Sequence, residues 1–194
     1  MDYKFLINRF LSILFKPGKA WGAIQSENRP LKDSRNSFLL PLILIVTLAA
    51  FAGSLLLTRA RLSFIYSIFT GIKYFVLLLV VTFASAFIHR EMTYAMDLGR
   101  DFSASFKLIV YSLVPLFVCL TISCFFESLI FINILSFYGL YIYWKGSKAM
   151  LNPQQHKRMP LLIATVVIIS EIYVLASVIL SHLADRVYFA IFAR

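Results

Sequence analysis

The sequence predicts an all-α integral membrane protein with five transmembrane helices preceded by an interfacial amphipathic helix. Three observations carry this. Of 194 residues, 60% are hydrophobic and only 14% charged, too little charge to cover a soluble domain of that size. Single apolar runs reach the roughly 20 helical residues that cross a ~30 Å hydrocarbon core. Basic residues separate those runs, with a strong bias to alternate gaps. In hydrocarbon the backbone must satisfy its own hydrogen bonds, so a spanning segment is a helix or belongs to a closed barrel. The runs are continuously apolar rather than alternating, which selects helices.

Residues 1–36 are the longest polar stretch and read as a basic cytoplasmic arm ahead of a membrane domain over 37–194. In the arm Leu6, Phe10, Ile13 and Leu14 share a helical face, with Lys4, Asn8, Arg9, Ser12 and Lys16 largely elsewhere. That pattern predicts a short helix lying in the membrane interface, its cations near lipid phosphates. Asn8 and Arg9 interrupt the apolar core a signal peptide needs, and no small-residue cleavage site precedes Pro17-Gly18. Pro17-Gly18 is expected to end the helix, and Trp21 to follow as an interfacial anchor.

The first span is predicted at about 38–57, entered through the capping-type cluster Asp33-Ser34-Arg35-Asn36-Ser37. Ala49 and Gly53, four apart, offer a small face for close helix packing. The second is predicted at about 68–88, with Lys73 near one end where its stem can snorkel. Between Lys107 and Lys145 the only charge is Glu127. One helix over that stretch would extend ~56 Å at ~1.5 Å per residue, nearly double the hydrocarbon core. A hairpin near Ser123–Ser128 resolves this into spans at about 106–126 and 129–144. The fifth is predicted at 160–181, with Pro160 at its first helical position.

Orientation follows from the cations. One set of gaps holds fourteen: Lys4, Arg9, Lys16, Lys19, Arg29, Lys32, Arg35, Arg90, Arg100, Lys107, Lys145, Lys148, Lys157 and Arg158. The other holds five: Arg59, Arg61, Lys73, Arg186 and Arg194. The positive-inside rule then predicts a cytoplasmic N-terminus and an outside C-terminus, and the protein is expected to be integral to the cell (inner) membrane. The net charge of +10 flanks apolar runs instead of forming one patch. It marks topology and attraction to anionic headgroups, above all at the N-terminal arm, and no nucleic acid is expected. Cys119 and Cys124 point about 140° apart on a helix, so a disulfide between them is not expected and they read as small buried hydrophobes.

Membrane enzymes show their chemistry in short motifs, and here His-Glu-x-x-His, Gly-x-Ser-x-Gly and a P-loop are all missing. His89, His156 and His182 form no ligand spacing. Asp97 and Asp101, four apart, could share a metal, but Arg100 lies between them and no third ligand is evident. Capping the start of the third span is their simpler role. No catalytic residue, cofactor or metal is expected.

Glu171 lies near the middle of the fifth span, where ionisable groups are costly and usually face a bundle interior or water. It reads either as an ion- or proton-coupled site or as a structural acid bonded to Asn133, Tyr173 or a neighbouring helix. Pro115 should kink the third span and free a carbonyl. The aromatics Phe137, Tyr138, Tyr141, Tyr143 and Trp144 read as an interfacial belt.

Three segments together resemble the Yip-one family, the Ypt/Rab-interacting membrane proteins, in its small bacterial form. Pro17-Gly18-Lys19-Ala20-Trp21-Gly22-Ala23-Ile24 is similar to the family's Pro-x-x-Ala-Trp-x-x-Ile lead-in to the first span. Val110-Tyr111-Ser112-Leu113-Val114-Pro115 resembles its Gly-Tyr-x-x-x-Pro element, with Val110 in the glycine's place. Tyr138 to Ala149, with Lys145-Gly146 near its end, is similar to the fourth-span exit. The resemblance covers about residues 11–182. It implies five spans, a cytoplasmic N-terminus and a non-enzymatic role. Eukaryotic relatives act in vesicle trafficking and contact small GTPases of the Rab type; this chain lacks the cytosolic Asp-Leu-Tyr-Gly-Pro segment that those relatives carry, and its cytosolic arm is short. The leading expectation is therefore a non-catalytic scaffold that organises lipid, a membrane-protein partner or its own copies. A small transporter or lipid-handling protein using Glu171 is the alternative, and an enzyme on Asp97 and Asp101 comes third.

Overall fold

The computed structural model describes residues 3–27, 29–57 and 63–192, and every regular element among them is helical. Arg59, Arg61 and Arg194, counted above for the sparsely charged side, lie outside the described residues.

Helix α1 spans Tyr3–Phe15 and α2 spans Pro17–Glu27. Pro17 does not merely end α1. It opens α2, because its missing N–H costs nothing in a first turn. The apolar face expected to meet lipid meets protein instead: Ile13 is fully enclosed, and Phe10 and Leu14 pack on the same core. The exposed apolar residues of α1 are Ile7, Leu11 and Phe15. Arg9, expected near lipid phosphates, is also a correction. It is buried, its guanidinium pairs with Glu27, and it reaches the Ala20 carbonyl at 3.5 Å. Glu27 in turn holds Arg29 at 3.2 Å. A desolvated cation requires such a partner, and the return of α2 beside α1 supplies one.

The first span begins earlier than its polar cluster suggested. Short α3, Leu31–Ser34, follows an extended Pro30 with no side-chain cap. A π-helical turn, Arg35–Leu39, then runs directly into α4, Leu40–Leu57. The cluster Asp33–Ser37 thus lies inside the helix and does not cap it; Asp33 in the first turn still suits the positive dipole end. Helix α5, Ser63–Ala95, outruns its predicted span at both ends. Lys73 is consequently well inside the helix, 5.5 Å from the Tyr74 ring centroid.

The predicted third span is two helices, α6 (Phe102–Ser112) and α7 (Val114–Phe125), joined at Leu113 with a 40° bend. Pro115 sits in the first turn of α7, where it deprives the Tyr111 carbonyl of its i+4 donor. Helix α7 stops at Phe126, whose backbone is extended (φ −126°, ψ 92°). A 3-10 segment over Glu127–Phe137 packs back along α7 and leads into α8, Tyr138–Met150. No single helix therefore covers 129–144, which corrects the predicted fourth helix. Asn133 donates to the Ile130 carbonyl at 2.9 Å and Ser136 to that of Asn133 at 2.6 Å. Side chains that bond the carbonyl three residues back favour the tighter helix.

Helix α9 runs Gln155–Phe192, with Pro160 inside it and not at its first position. Among the described residues three helical stretches are long and apolar enough to cross a membrane, Leu31–Leu56, Phe64–Ala95 and Gln155–Val187, and the bent α6–α7 pair makes up to a fourth. Helix α4 lies between α5 and α7, α5 carries α9, and α2 and α6 both pack on α8. Gly53 allows α4 to approach α7 closely, because a Cβ there would overlap the Cys124 carbonyl oxygen. Cys119 and Cys124 are both free.

Candidate functional site

The three motif segments meet in one place. Helix α2 buries Pro17, Ala20, Trp21 and Ile24, the four residues of the Pro-x-x-Ala-Trp-x-x-Ile pattern. Their spacing of three, one and three puts them on one helical face. The Trp21 indole is fully enclosed and donates through Nε1 to the Ile142 carbonyl of α8 at 3.0 Å. It meets Tyr111 of α6 edge-on, centroids 5.7 Å apart, and Tyr111 rests on Phe38 at 4.8 Å. One turn along α8, Gly146 leaves the space that the indole fills: a Cβ there would overlap the ring and come within 2.8 Å of Leu108. Gly139, nearer the start of α8, likewise admits the Ser112 carbonyl beside the Pro115 bend. Trp21 was expected as an interfacial anchor, and the structure makes it the wedge between α2, α6 and α8. Lys145 is exposed, 5.4 Å from the Tyr141 ring.

A second cluster was not anticipated. His89 of α5 is fully buried, and its Nε2 lies 2.7 Å from the Tyr143 hydroxyl of α8. Thr165 of α9 lies 2.9 Å from the same hydroxyl and 2.7 Å from the Leu161 carbonyl. With the proton on Nε2, each donor finds an acceptor in turn: His89 to Tyr143, Tyr143 to Thr165, Thr165 to Leu161. The other ring nitrogen, Nδ1, is buried and has no hydrogen-bond partner among the described residues. Tyr143 thus leaves the aromatic belt assigned to it, while Tyr138 bonds the Leu14 carbonyl at 2.9 Å and holds the end of α1. A signal for this cluster was present. Thr82, Ser85, His89 and Thr93 recur at helical spacing, and all four are buried.

A family model described as Yip1 domain matches residues 11–179. The chain belongs to the Yip1 family. No curated protein and no solved structure shows significant similarity to it. For a Yip1-domain protein the matched segment begins at Leu11 and takes in Trp21, Tyr111, Pro115 and Gly146, so the enclosed tryptophan wedge lies within the family's own domain.

The two acids of this Yip1 protein have separate structural partners. Asp101 is the N-cap of α6 and accepts from the Ser103 N–H at 2.7 Å. Asp97 adopts a positive φ of 58° and faces Lys157 at 3.4 Å, whose ammonium also donates to the Met96 carbonyl at 2.7 Å. Arg100 turns to Glu91 at 2.9 Å. Asp101→Ala is expected to destabilise the fold by about 1 kcal/mol through loss of the cap, measurable as a lowered unfolding midpoint in mild detergent. A change within error would show that the cap contributes nothing.

Glu171 is exposed on α9. Among the described residues it has no hydrogen bond to Asn133 or Tyr173: Asn133 is engaged with Ile130 and with Ser123 at 3.4 Å. Only 6% of the apolar window of α9 is buried, against 44% and 39% for the other two long helices. Glu171 therefore sits in an apolar face that this chain leaves open, between Val167 and Val174, both more than half exposed.

Proposed function

We propose that this Yip1 protein is a non-catalytic, multi-pass scaffold of the cell (inner) membrane that holds a membrane-embedded partner on the outer face of α9. The observation that carries the reading is Glu171, an ionisable side chain on the open face of α9 and the one charge in its stretch 159–181. Such a group is costly against lipid and calls for a polar partner, and transmembrane helices supply one by hydrogen bonding across their interface.

In this reading the chain crosses five times, the α7–α8 hairpin included. The N-terminus is cytoplasmic and the C-terminus outside, as the fourteen-to-five distribution of cations favours. Lys4, Lys16 and Lys19 are exposed on α1, α2 and the turn between them, which supports contact of residues 1–36 with anionic headgroups. The chain has no Asp-Leu-Tyr-Gly-Pro segment, so a small GTPase does not enter the proposal. The alternative, a small transporter or lipid-handling protein using Glu171, has less support because Glu171 does not line the cavity between α6, α8 and α9.

A photo-crosslinker at Val174 is expected to capture one discrete membrane protein, or a second copy, in native membranes. One at Leu48, exposed on α4, should yield lipid adducts alone. Glu171→Leu should lower the captured yield roughly 3- to 18-fold, the span of a hydrogen bond between transmembrane helices. Lipid adducts alone at both positions would sink the scaffold reading. For the transport alternative, an unchanged flux of the Glu171→Gln protein in proteoliposomes removes that role.

A further inference from the structure

Between the α6–α7 bend, α8 and α9 lies a cavity of about 300 Å³, at the small end of the ~300–1,000 Å³ typical of ligand pockets. Its walls are apolar, with Leu116, Leu140, Val166 and Ile169 among them, and among the described residues no Lys, Arg, His, Asp or Glu lines it. A charged ligand would be left unpaired there, at high cost. Phe137 and Val174 also line it and are largely exposed, so the cavity reaches the outer surface of the bundle.

Its lining is nevertheless not purely apolar. Ser112, Tyr143 and Thr165 contribute to it, and the buried Ser112 hydroxyl has no hydrogen-bond partner among the described residues. Tyr143 and Thr165 belong to the chain of bonds from His89, and no partner at Nδ1 fixes the His89 tautomer. With the proton on Nε2, Tyr143 turns its own hydrogen towards Thr165. With the proton on Nδ1, Tyr143 donates to His89 instead, and its oxygen and that of Thr165 are freed as acceptors. The freed oxygens can accept from a ligand hydroxyl, while the Ser112 hydroxyl can donate to a ligand oxygen. We propose that this cavity binds one hydrocarbon chain bearing a neutral hydroxyl or ester group, an uncharged single-chain lipid. The site shares Val174 with the open face of α9 but does not include Glu171, and its test does not depend on the scaffold reading.

The test uses the full chain in lipid nanodiscs with a diazirine-tagged monoacylglycerol. Saturable labelling of α7 and α9 peptides is expected, with unlabelled monoacylglycerol suppressing it at least about tenfold. Val166→Trp, which fills the cavity, should reduce labelling about tenfold, and Thr165→Val about 2- to 12-fold, as loss of one hydrogen bond does. Leu48→Trp, on the exposed face of α4, should change nothing. Non-saturable labelling, or labelling indifferent to Val166→Trp, overturns the site. If that variant does not fold, competition on the unaltered chain decides alone, and failure to compete overturns the proposal. A tagged fatty acid anion or phosphatidylglycerol labelling as strongly as the monoacylglycerol overturns the neutral-ligand assignment.

Discussion

Replacing Trp21 by alanine is expected to destabilise the protein by about 3–5 kcal/mol, the range for deleting a large aromatic from a packed interior. The indole is fully enclosed, fills the gap over Gly146, meets Tyr111 edge-on and bonds the Ile142 carbonyl at 3.0 Å. Most of that loss is packing, because one hydrogen bond contributes only about 0.5–1.5 kcal/mol. Trp21→Phe should therefore retain the larger share. Unfolding in mild detergent, followed through the remaining Trp144, separates the two readings of this residue. A Trp21→Ala protein within about 0.5 kcal/mol of the parent, as for an ordinary surface change, would make Trp21 an interfacial anchor after all.

Gly53→Val is expected to be at least as damaging. A Cβ at Gly53 would overlap the Cys124 carbonyl oxygen and stand 2.9 Å from its carbonyl carbon and 3.1 Å from Phe125 Cα. All three atoms are backbone, so no rotamer change relieves the contact, and α4 must move away from α7. The cost should reach or exceed the top of the ~1–3 kcal/mol usual for overpacking, with loss of folded protein in fluorescence-detected gel filtration. Gly22→Ala is the control: it has nothing within 4 Å and, inside α2, should gain up to about 1 kcal/mol from helix propensity. If Gly53→Val and Gly22→Ala behave alike, the close approach of α4 and α7 is wrong.

Much of the candidate site was legible as pattern but not as role. The Pro-x-x-Ala-Trp-x-x-Ile spacing placed Pro17, Ala20, Trp21 and Ile24 on one face, yet that face could have met lipid or protein. Tyr143 resembled its neighbours Tyr141 and Trp144 in the row of aromatics. Its burial followed only once α8 was rotated by its close contacts at Gly139 and Gly146. Arg9 counted as a topology signal, and the proximity of Glu27 across the α1–α2 turn made it a buried ion pair. Asp101 needed less, since a cap is a local arrangement of a side chain with an N–H two residues on.

Composition and run length by themselves determined that this is a helical membrane protein, and they located α4, α5 and α9 to within several residues at most ends. Transfer of a segment into hydrocarbon depends on that segment's own side chains and backbone, so it can be read locally. The tertiary structure alone decided that Trp21, Tyr111 and Gly146 form one wedge, that His89 reaches Tyr143 and Thr165, and that Glu171 stays on an open face. Those outcomes depend on which helices become neighbours and on their rotation about their own axes. In an apolar setting, lipid and protein present nearly the same hydrophobic surface. Close packing at small residues and hydrogen bonds between helices therefore decide, and both require partners distant in the sequence.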